Sequence, residues 1–390
     1  MNRPQPQLDV ICSGSPYEMG LAQGRAMREK IHYARQQLRQ LEAFRMEQPR
    51  WMPFRMFVPV AEHKVASMLR PAVMAAFPEM HQRIEGIAAG AGVTANTIYF
   101  FNGLEALMAS VEGRIRIPAL SAACSAIAVR GLRSATSEPI IARNFDYLPL
   151  VQPFYSMREV RPPDGLRSLQ FFTAPLAGAI DGVNEAGLCI TYNYAFTLDK
   201  PPQAAGLISM AISEALARCR TVAEAVDHII SRPRWGGAML MLADQSGDIA
   251  SLELSSSRAQ LRRPSAGDDL IFHTNCFFDR EMCTIQVPDE AIFTDRAPTP
   301  IRGRRVLQSA DFRRDRLTEL LSDNRSLGPD QLQKILGDHG PSGAPSDDSL
   351  CMHGSYWTTT ASLQWFPRQR KVRVAYGSTC EAKYVEFQLN

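Results

Sequence analysis

The chain of 390 residues has no apolar run approaching the roughly 20 residues that cross a bilayer. Its opening, MNRPQPQLDV, holds no apolar core of signal-peptide length. A dense Lys/Arg block with interleaved aromatics is also missing. Its 43 basic residues face 40 acidic ones, and the formal net charge is +3, which leaves no electrostatic footprint for nucleic acid. The short run IRGRR (301–305) leads into a helical segment and reads as a solvated helix face. These absences predict a soluble, cytoplasmic protein with neither a membrane nor a nucleic-acid partner. None of the eight cysteines forms a CxxC pair. Cys351 and His353 stand two apart, and Cys276 and Cys283 seven apart; neither spacing matches a zinc module. No metal is expected, and the thiols read as reduced and mostly buried.

What is present is enough apolar material, 45% of the residues, to fill one large domain or two ordinary ones. The first third reads as helical. SPYE (15–18) is a capping box, with Ser15 as N-cap and Glu18 reaching back, and predicts a helix towards Gln40. MFVPVAEHKVASMLR predicts another helix, interrupted near its start by Pro59; FPEMHQRIEGIAAGAG predicts a third that ends in glycines. Thr94 reads as the N-cap of a fourth, running through Ala106. From Ser121 the pattern turns to strand pairs separated by polar turns: CSAIAVRG with PIIARNFDY, GAIDGV with GLCITYNY, AMLMLAD with IASLELS, and TTTASLQWF with KVRVAYG. Helices return at 207–219, at 221–230 behind a second box (TVAE), near 305–321 and at 329–336. Strands that come as hairpins, with helices segregated from them, predict an α+β body with antiparallel sheets and argue against a doubly wound parallel fold.

Cys124 opens the first strand, after the small residues Ser121, Ala122 and Ala123. A free thiol with a pKa near about 8.5 needs a neighbouring base or positive charge to act as a nucleophile. The CGxCW-type run of papain-like enzymes is absent. A cut before Cys124 would supply the base another way, since a new α-amino group has a pKa near about 7.7–8.0 and sits beside its own thiol. ARNFDY (142–147) places Arg143 and Asp146 in an otherwise apolar strand beside the one that Cys124 opens. Buried charges there need partners. The carboxylate suits the new amine and the guanidinium suits the thiolate, although an internal Arg–Asp ion pair also satisfies the pattern.

These stretches together resemble the N-terminal nucleophile (Ntn) hydrolases. The nearest resemblance is to the acyl-coenzyme A:isopenicillin N acyltransferase family (peptidase family C45), and a more distant one is to the choloylglycine hydrolases. GSPYEMGLAQGRAM (14–27) resembles the start of the family's prosegment. CSAIAVRG and IIARNFDY resemble its nucleophile hairpin, and DGVNEAGLCITYNY (181–194) the next shared hairpin. HTNCF (273–277) resembles its HxNH-type run, and 358–377 its C-terminal end. The stretches come in family order over nearly the whole chain. The resemblance implies an αββα four-layer sandwich with a helical prosegment at 1–123 and a catalytic body at 124–390. It implies self-cleavage between Ala123 and Cys124, and Cys124 as nucleophile lined by Arg143 and Asp146. Asn193 matches an oxyanion-hole asparagine, and Asn275 a second asparagine for processing or transition-state hydrogen bonding. Two positions depart from the family pattern, and one expected residue is not found. Ala123 stands where glycine is usual, Cys276 where a histidine is usual, and the sequence does not locate a further basic residue expected late in the chain.

The implied enzyme is an amide hydrolase or acyltransferase that passes the acyl group of a small-molecule acylated amine through a Cys124 thioester. No cofactor is expected, with coenzyme A entering only as a co-substrate. The two fragments are expected to stay associated, and a homo-oligomer is left open. Two alternatives stand beside this one: a cysteine thioesterase or hydrolase that uses a histidine such as His273 without cleavage, and a non-catalytic protein that retains the fold. WMPFRMFVP (51–59) reads either as packing of the helical segment or as a lid over an acyl chain.

Overall fold

Ser15 starts the first helix as its sequence predicts: its hydroxyl accepts the Glu18 N–H at 3.3 Å, and Glu18 accepts the Ser15 N–H at 2.8 Å. A computed structural model describes residues 8–109, 123–200, 205–295, 297–323 and 325–389, with the side chains of 105–109 excepted. Ser121 and Ala122, which precede the expected cleavage site, lie outside the described residues.

The N-terminal part contains strand β1 (Val10–Ser13) and helices α1 (Pro16–Ala26), α2 (Arg28–Gln37), α3 (Glu42–Met46), α4 (Phe54–Ala76), α5 (Pro78–Ala91) and α6 (Ala95–Ala109). The predicted first helix is therefore divided at Met27, whose ψ of 9° bends the chain while the Met27 N–H still reaches Gln23 O at 2.8 Å. Pro59 does not interrupt α4, and Pro71 also lies inside it. Phe57, Val58, Glu62, Ala66, Leu69 and Val73 are buried at helical spacing along it, and tertiary packing of such a face outweighs local propensity. Helices α1 and α5 cross closely because both carry glycines at the contact. A Cβ on Gly20 would sit 2.1 Å from Arg83 O, and one on Gly86 would sit 2.1 Å from Tyr17 O.

The remaining chain supplies β2 (Ala123–Val129), β3 (Ile140–Tyr147), β4 (Tyr155–Arg161), β5 (Ser168–Thr173), β6 (Asp181–Asn184) and β7 (Cys189–Ala195). Helices α7 (Ile208–Arg218) and α8 (Val222–Ser231) follow, then β8 (Gly237–Ala243), β9 (Ile249–Leu254), β10 (Ala259–Arg262), β11 (Leu270–His273) and α9 (Arg280–Cys283). The chain ends with α10 (Gln308–Leu320), α11 (Pro329–Leu336), β12 (Thr358–Phe366), β13 (Lys371–Ala375) and β14 (Val385–Gln388). One sheet has eight strands in the order β1-β4-β5-β6-β7-β8-β9-β10, and the other six in the order β11-β2-β3-β12-β13-β14. All the hairpins expected from sequence form and pair antiparallel. Among the strands of the described residues, the exception to antiparallel pairing is β1, which pairs parallel with β4. The N-terminal part is thus not wholly helical, because β1 extends a sheet of the body.

The two sheets face each other, with β2 and β3 across β7, β8 and β9. Helices α7 and α8 cover the outside of the larger sheet, and α10 and α11 the outside of the smaller one. The chain therefore has the expected αββα layering of an α+β fold. Both faces of β2 and β3 are covered, so with a period of two every residue of these strands is buried. Ala126, Ala128 and Ile141 face the core between the sheets, while Ile127, Val129, Ile140 and Ala142 face Leu317, Leu332 and Leu336 of the outer helices. Among the described residues, no helix is long and apolar enough to cross a membrane.

Candidate active site

Pairing of β2 with β3 sets Cys124 opposite Phe145, Ala126 opposite Arg143, and Ala123 opposite Asp146. Alternation then puts Cys124 and Arg143 on the inner face of the sheet. Arg143 Nη2 lies 3.4 Å from Cys124 Sγ. The guanidinium is fully buried, and each of its three nitrogens has a partner. Nε donates to Asn193 Oδ1 at 3.0 Å, Nη1 to Asp181 Oδ1 and Nη2 also to Tyr192 O, and the group stacks on the Phe145 ring 4.8 Å from its centroid. Burial opposes its charge but is outweighed by Asp181 and Cys124, so its pKa is raised. The sequence left an internal Arg143–Asp146 ion pair open beside separate roles for the two groups. The ion-pair partner is instead Asp181, the first residue of β6, brought in from the facing sheet.

Cys124 is buried, and burial raises its thiol pKa while Arg143 pulls it down. Its backbone N–H donates to Asn275 Oδ1 at 2.6 Å. Asn275 follows β11, the strand beside β2, and its Nδ2 donates to Tyr194 O at 2.8 Å. Asn193 donates from Nδ2 to Thr274 O at 3.2 Å. Each of these amides therefore commits one of two N–H donors to a backbone carbonyl.

Asp146 accepts from Thr359 Oγ1 at 2.5 Å, while its buried Oδ2 has no hydrogen-bond partner among the described residues. Burial pushes its carboxyl up to about 7, against the opposing pull of Arg313, Thr359 and Arg143. Arg313 is the residue that sequence reading missed. It reaches from α10, outside the sheet. Nη1 donates to Cys124 O and to Ser125 Oγ at 3.0 Å, Nη2 to Asn275 Oδ1 at 3.0 Å, and Nε to Ser309 Oγ at 3.2 Å. The nucleophile candidate is held from both faces of its sheet, by Arg143 inside and Arg313 outside. The signal for Arg313 was its spacing: Ser309, Arg313 and Leu317 are buried at i, i+4, i+8 on one face of a helix rich in charged residues.

His273 is not arranged as a base for Cys124. Its Nδ1 pairs with Ser251 Oγ of the facing sheet at 2.8 Å, and burial holds its pKa well below the usual imidazole range. Cys276, in place of the usual histidine, lies 3.3 Å from Thr274 Oγ1.

Cys124 forms part of the wall of an apolar cavity of about 150 Å³. Leu38 and Leu41 beside α2, and Phe101 and Leu104 of α6, contribute to the wall from the N-terminal part; Phe145, Tyr147, Leu150, Phe154, Ile180 and Tyr194 are among those that contribute from the part after Cys124. The cavity is thus built jointly by residues before and after Cys124. The 51–59 stretch takes no part in it. Phe54 and Phe57 pack on Phe44, and Trp51 is 77% exposed.

Residues 133–371, more than half of the chain, match the model of the family described as acyl-coenzyme A:6-aminopenicillanic acid acyl-transferase. No curated protein matches the chain. Among solved structures, an N-acylethanolamine-hydrolyzing acid amidase ortholog of Caenorhabditis elegans is 14% identical, with a TM-score of 0.42 over 68% of this chain and 100% of that one. Penicillin V acylase from Agrobacterium tumefaciens is 12% identical, with a TM-score of 0.38 over 68% and 86%. A mutant conjugated bile acid hydrolase from Clostridium perfringens is 12% identical, with a TM-score of 0.37 over 68% and 97%.

Proposed function

The chain belongs to the acyl-coenzyme A:6-aminopenicillanic acid acyl-transferase family, and on that premise we propose that it is a self-cleaving cysteine amidase or acyltransferase with Cys124 as its nucleophile. The observation that carries this reading is the double placement of one residue. The Cys124 thiol lines the apolar cavity beside Arg143, while its backbone nitrogen is held by Asn275.

In the first stage Cys124 Sγ attacks the Ala123 carbonyl carbon. The C–S bond forms as the Ala123–Cys124 C–N bond breaks, and the thiol proton ends on the departing amine. Water hydrolyses the thioester, restores the thiol and leaves Ala123 with a carboxylate. The fragments are 1–123 and 124–390, and their shared cavity wall and the β1–β4 pairing keep them together. The new α-amine remains on Asn275 Oδ1. Asp146, opposite Ala123 and unpartnered at Oδ2, is its counter-charge.

In the second stage the α-amine accepts the thiol proton, Arg143 stabilises the thiolate, and Sγ attacks the acyl carbon of an N-acyl amide. The remaining N–H donors of Asn193 and Asn275 serve the oxyanion. The amine leaves with the proton, and the thioester passes its acyl group to water or to a second amine. The apolar lining favours a hydrophobic acyl group.

Acid-quenched mass spectrometry after mixing with a library of N-acyl amides tests this. The expected result is the acyl mass on Cys124 of the larger fragment. Turnover of the same amides by Cys124→Ala would overturn it.

A further inference from the structure

On the outer side of β3, four residues from three separate segments bring their side chains together. His339 follows α11, Cys351 and His353 precede β12, and Cys380 lies in the turn between β13 and β14. One ligand-type atom from each lies within 4.8 Å of all the others. His353 Nε2 is 3.5 Å from Cys351 Sγ and 3.4 Å from Cys380 Sγ. The imidazoles of His339 and His353 meet edge to face at 81°, with centroids 5.1 Å apart, and the buried Nε2 of His339 has no hydrogen-bond partner among the described residues.

We infer that His339, Cys351, His353 and Cys380 form a structural site for one tetrahedral zinc ion. Zn–S bonds of about 2.3 Å and Zn–N bonds of about 2.0–2.1 Å at tetrahedral angles put nitrogen and sulfur about 3.5 Å apart, which is the separation at His353. Two thiolates and two neutral imidazoles match the charge of the cation, and an S₂N₂ set selects zinc over magnesium, calcium or manganese. Binding releases the two thiol protons.

The site is held in place by its surroundings, as metal ligands require. Cys351 N donates to Asp338 O at 3.0 Å, which fixes Cys351 beside His339. Asn144 of β3 binds Leu336 O and Leu350 O, both at 2.8 Å, and accepts from Thr379 Oγ1 at 2.6 Å. One buried amide therefore gathers the three segments that carry the four ligands. The Asp338 carboxylate is taken by Arg316, with both contacts at 2.8 Å, so it does not compete. Sequence spacing did not reveal the set because the ligands lie in three segments, with only Cys351 and His353 close together. The ion would fasten the 337–357 stretch to the C-terminal turn. That stretch contains Met352, whose N–H donates to Thr359 Oγ1 at 2.8 Å, and Thr359 in turn donates to Asp146.

The test is metal analysis of the full-length protein purified under reducing conditions and reconstituted with zinc. The expected result is one zinc per chain. Its removal by a strong chelator should lower the melting temperature. Cobalt(II) added to the stripped protein should give the visible bands and thiolate charge-transfer absorption of a tetrahedral site. Cys380→Ser and His353→Ala, both at exposed positions, should lose the metal, while Cys283→Ser keeps it. Three results would overturn the site: no metal after reconstitution, a Cys351–Cys380 disulfide under the reducing conditions, or unchanged metal content in both ligand variants. If the variants fail to fold, the cobalt spectrum of the wild-type chain decides alone.

Discussion

The side-chain oxygen of Asn275 accepts the backbone N–H of Cys124 at 2.6 Å. Any amine released at residue 124 is therefore born on an acceptor already in place. Asn275→Ala removes that acceptor and one oxyanion donor. It should slow cleavage and, in the cleaved fraction, lower kcat by about 10²–10³, the usual effect of losing one such donor. Densitometry of the uncut band against time, with kcat corrected for it, checks this. Wild-type cleavage and kcat would refute the role.

Arg313 makes a planar fork to Cys124 O, Ser125 Oγ and Asn275 Oδ1 from a fully buried position. Lysine cannot reproduce that geometry. Arg313→Lys should reduce kcat by about 10–100-fold, corresponding to about 1.5–3 kcal/mol for hydrogen bonds to a charged group, with KM changed less. A loss confined to KM would show that Arg313 serves binding instead.

Asp146 gives a pH signature in the uncut chain. Its folded pKa near 7 lies above the unfolded value of about 3.9. Between these values the folded state holds a proton that the unfolded state has released. Stability therefore falls as pH rises from about 4 to about 7, and is level above that. The span of roughly 3 units at about 1.4 kcal/mol each sets an upper bound of about 4 kcal/mol. Urea unfolding of Cys124→Ala, with and without Asp146→Asn, measures it. The second substitution should flatten the slope, and parallel profiles would contradict the assignment.

Leu150 is partly exposed at the cavity wall. Leu150→Trp should shorten the longest acyl chain accepted and raise KM for longer ones, with little effect on the smallest acyl amides. An unchanged chain-length profile would place the acyl group elsewhere.

The β2–β3 hairpin that carries Cys124 and Arg143 was legible because its information is local. Two apolar strands with a polar turn fix the register, and a period of two puts Cys124 and Arg143 on one face. The α+β body with antiparallel sheets followed from strands that come as hairpins with helices segregated from them, and the αββα layering from the family resemblance. Asp181 as the true partner of Arg143 was not legible, because it depends on how one sheet lies over another. Arg313 was hidden among Arg314 and Arg316 of the same helix, which point elsewhere and pair with Asp311, Asp315, Glu319 and Asp338. Strand β1 is four residues long and borrows its partner from β4, so no local period could reveal it.

N-terminal sequencing of the purified protein, read with the intact masses of its chains, tests the central claim most directly. The account predicts two chains that copurify, the larger beginning CSAIA, and a single uncut chain without activity for Cys124→Ala. A wild-type chain that remains full length and turns over N-acyl amides would contradict it.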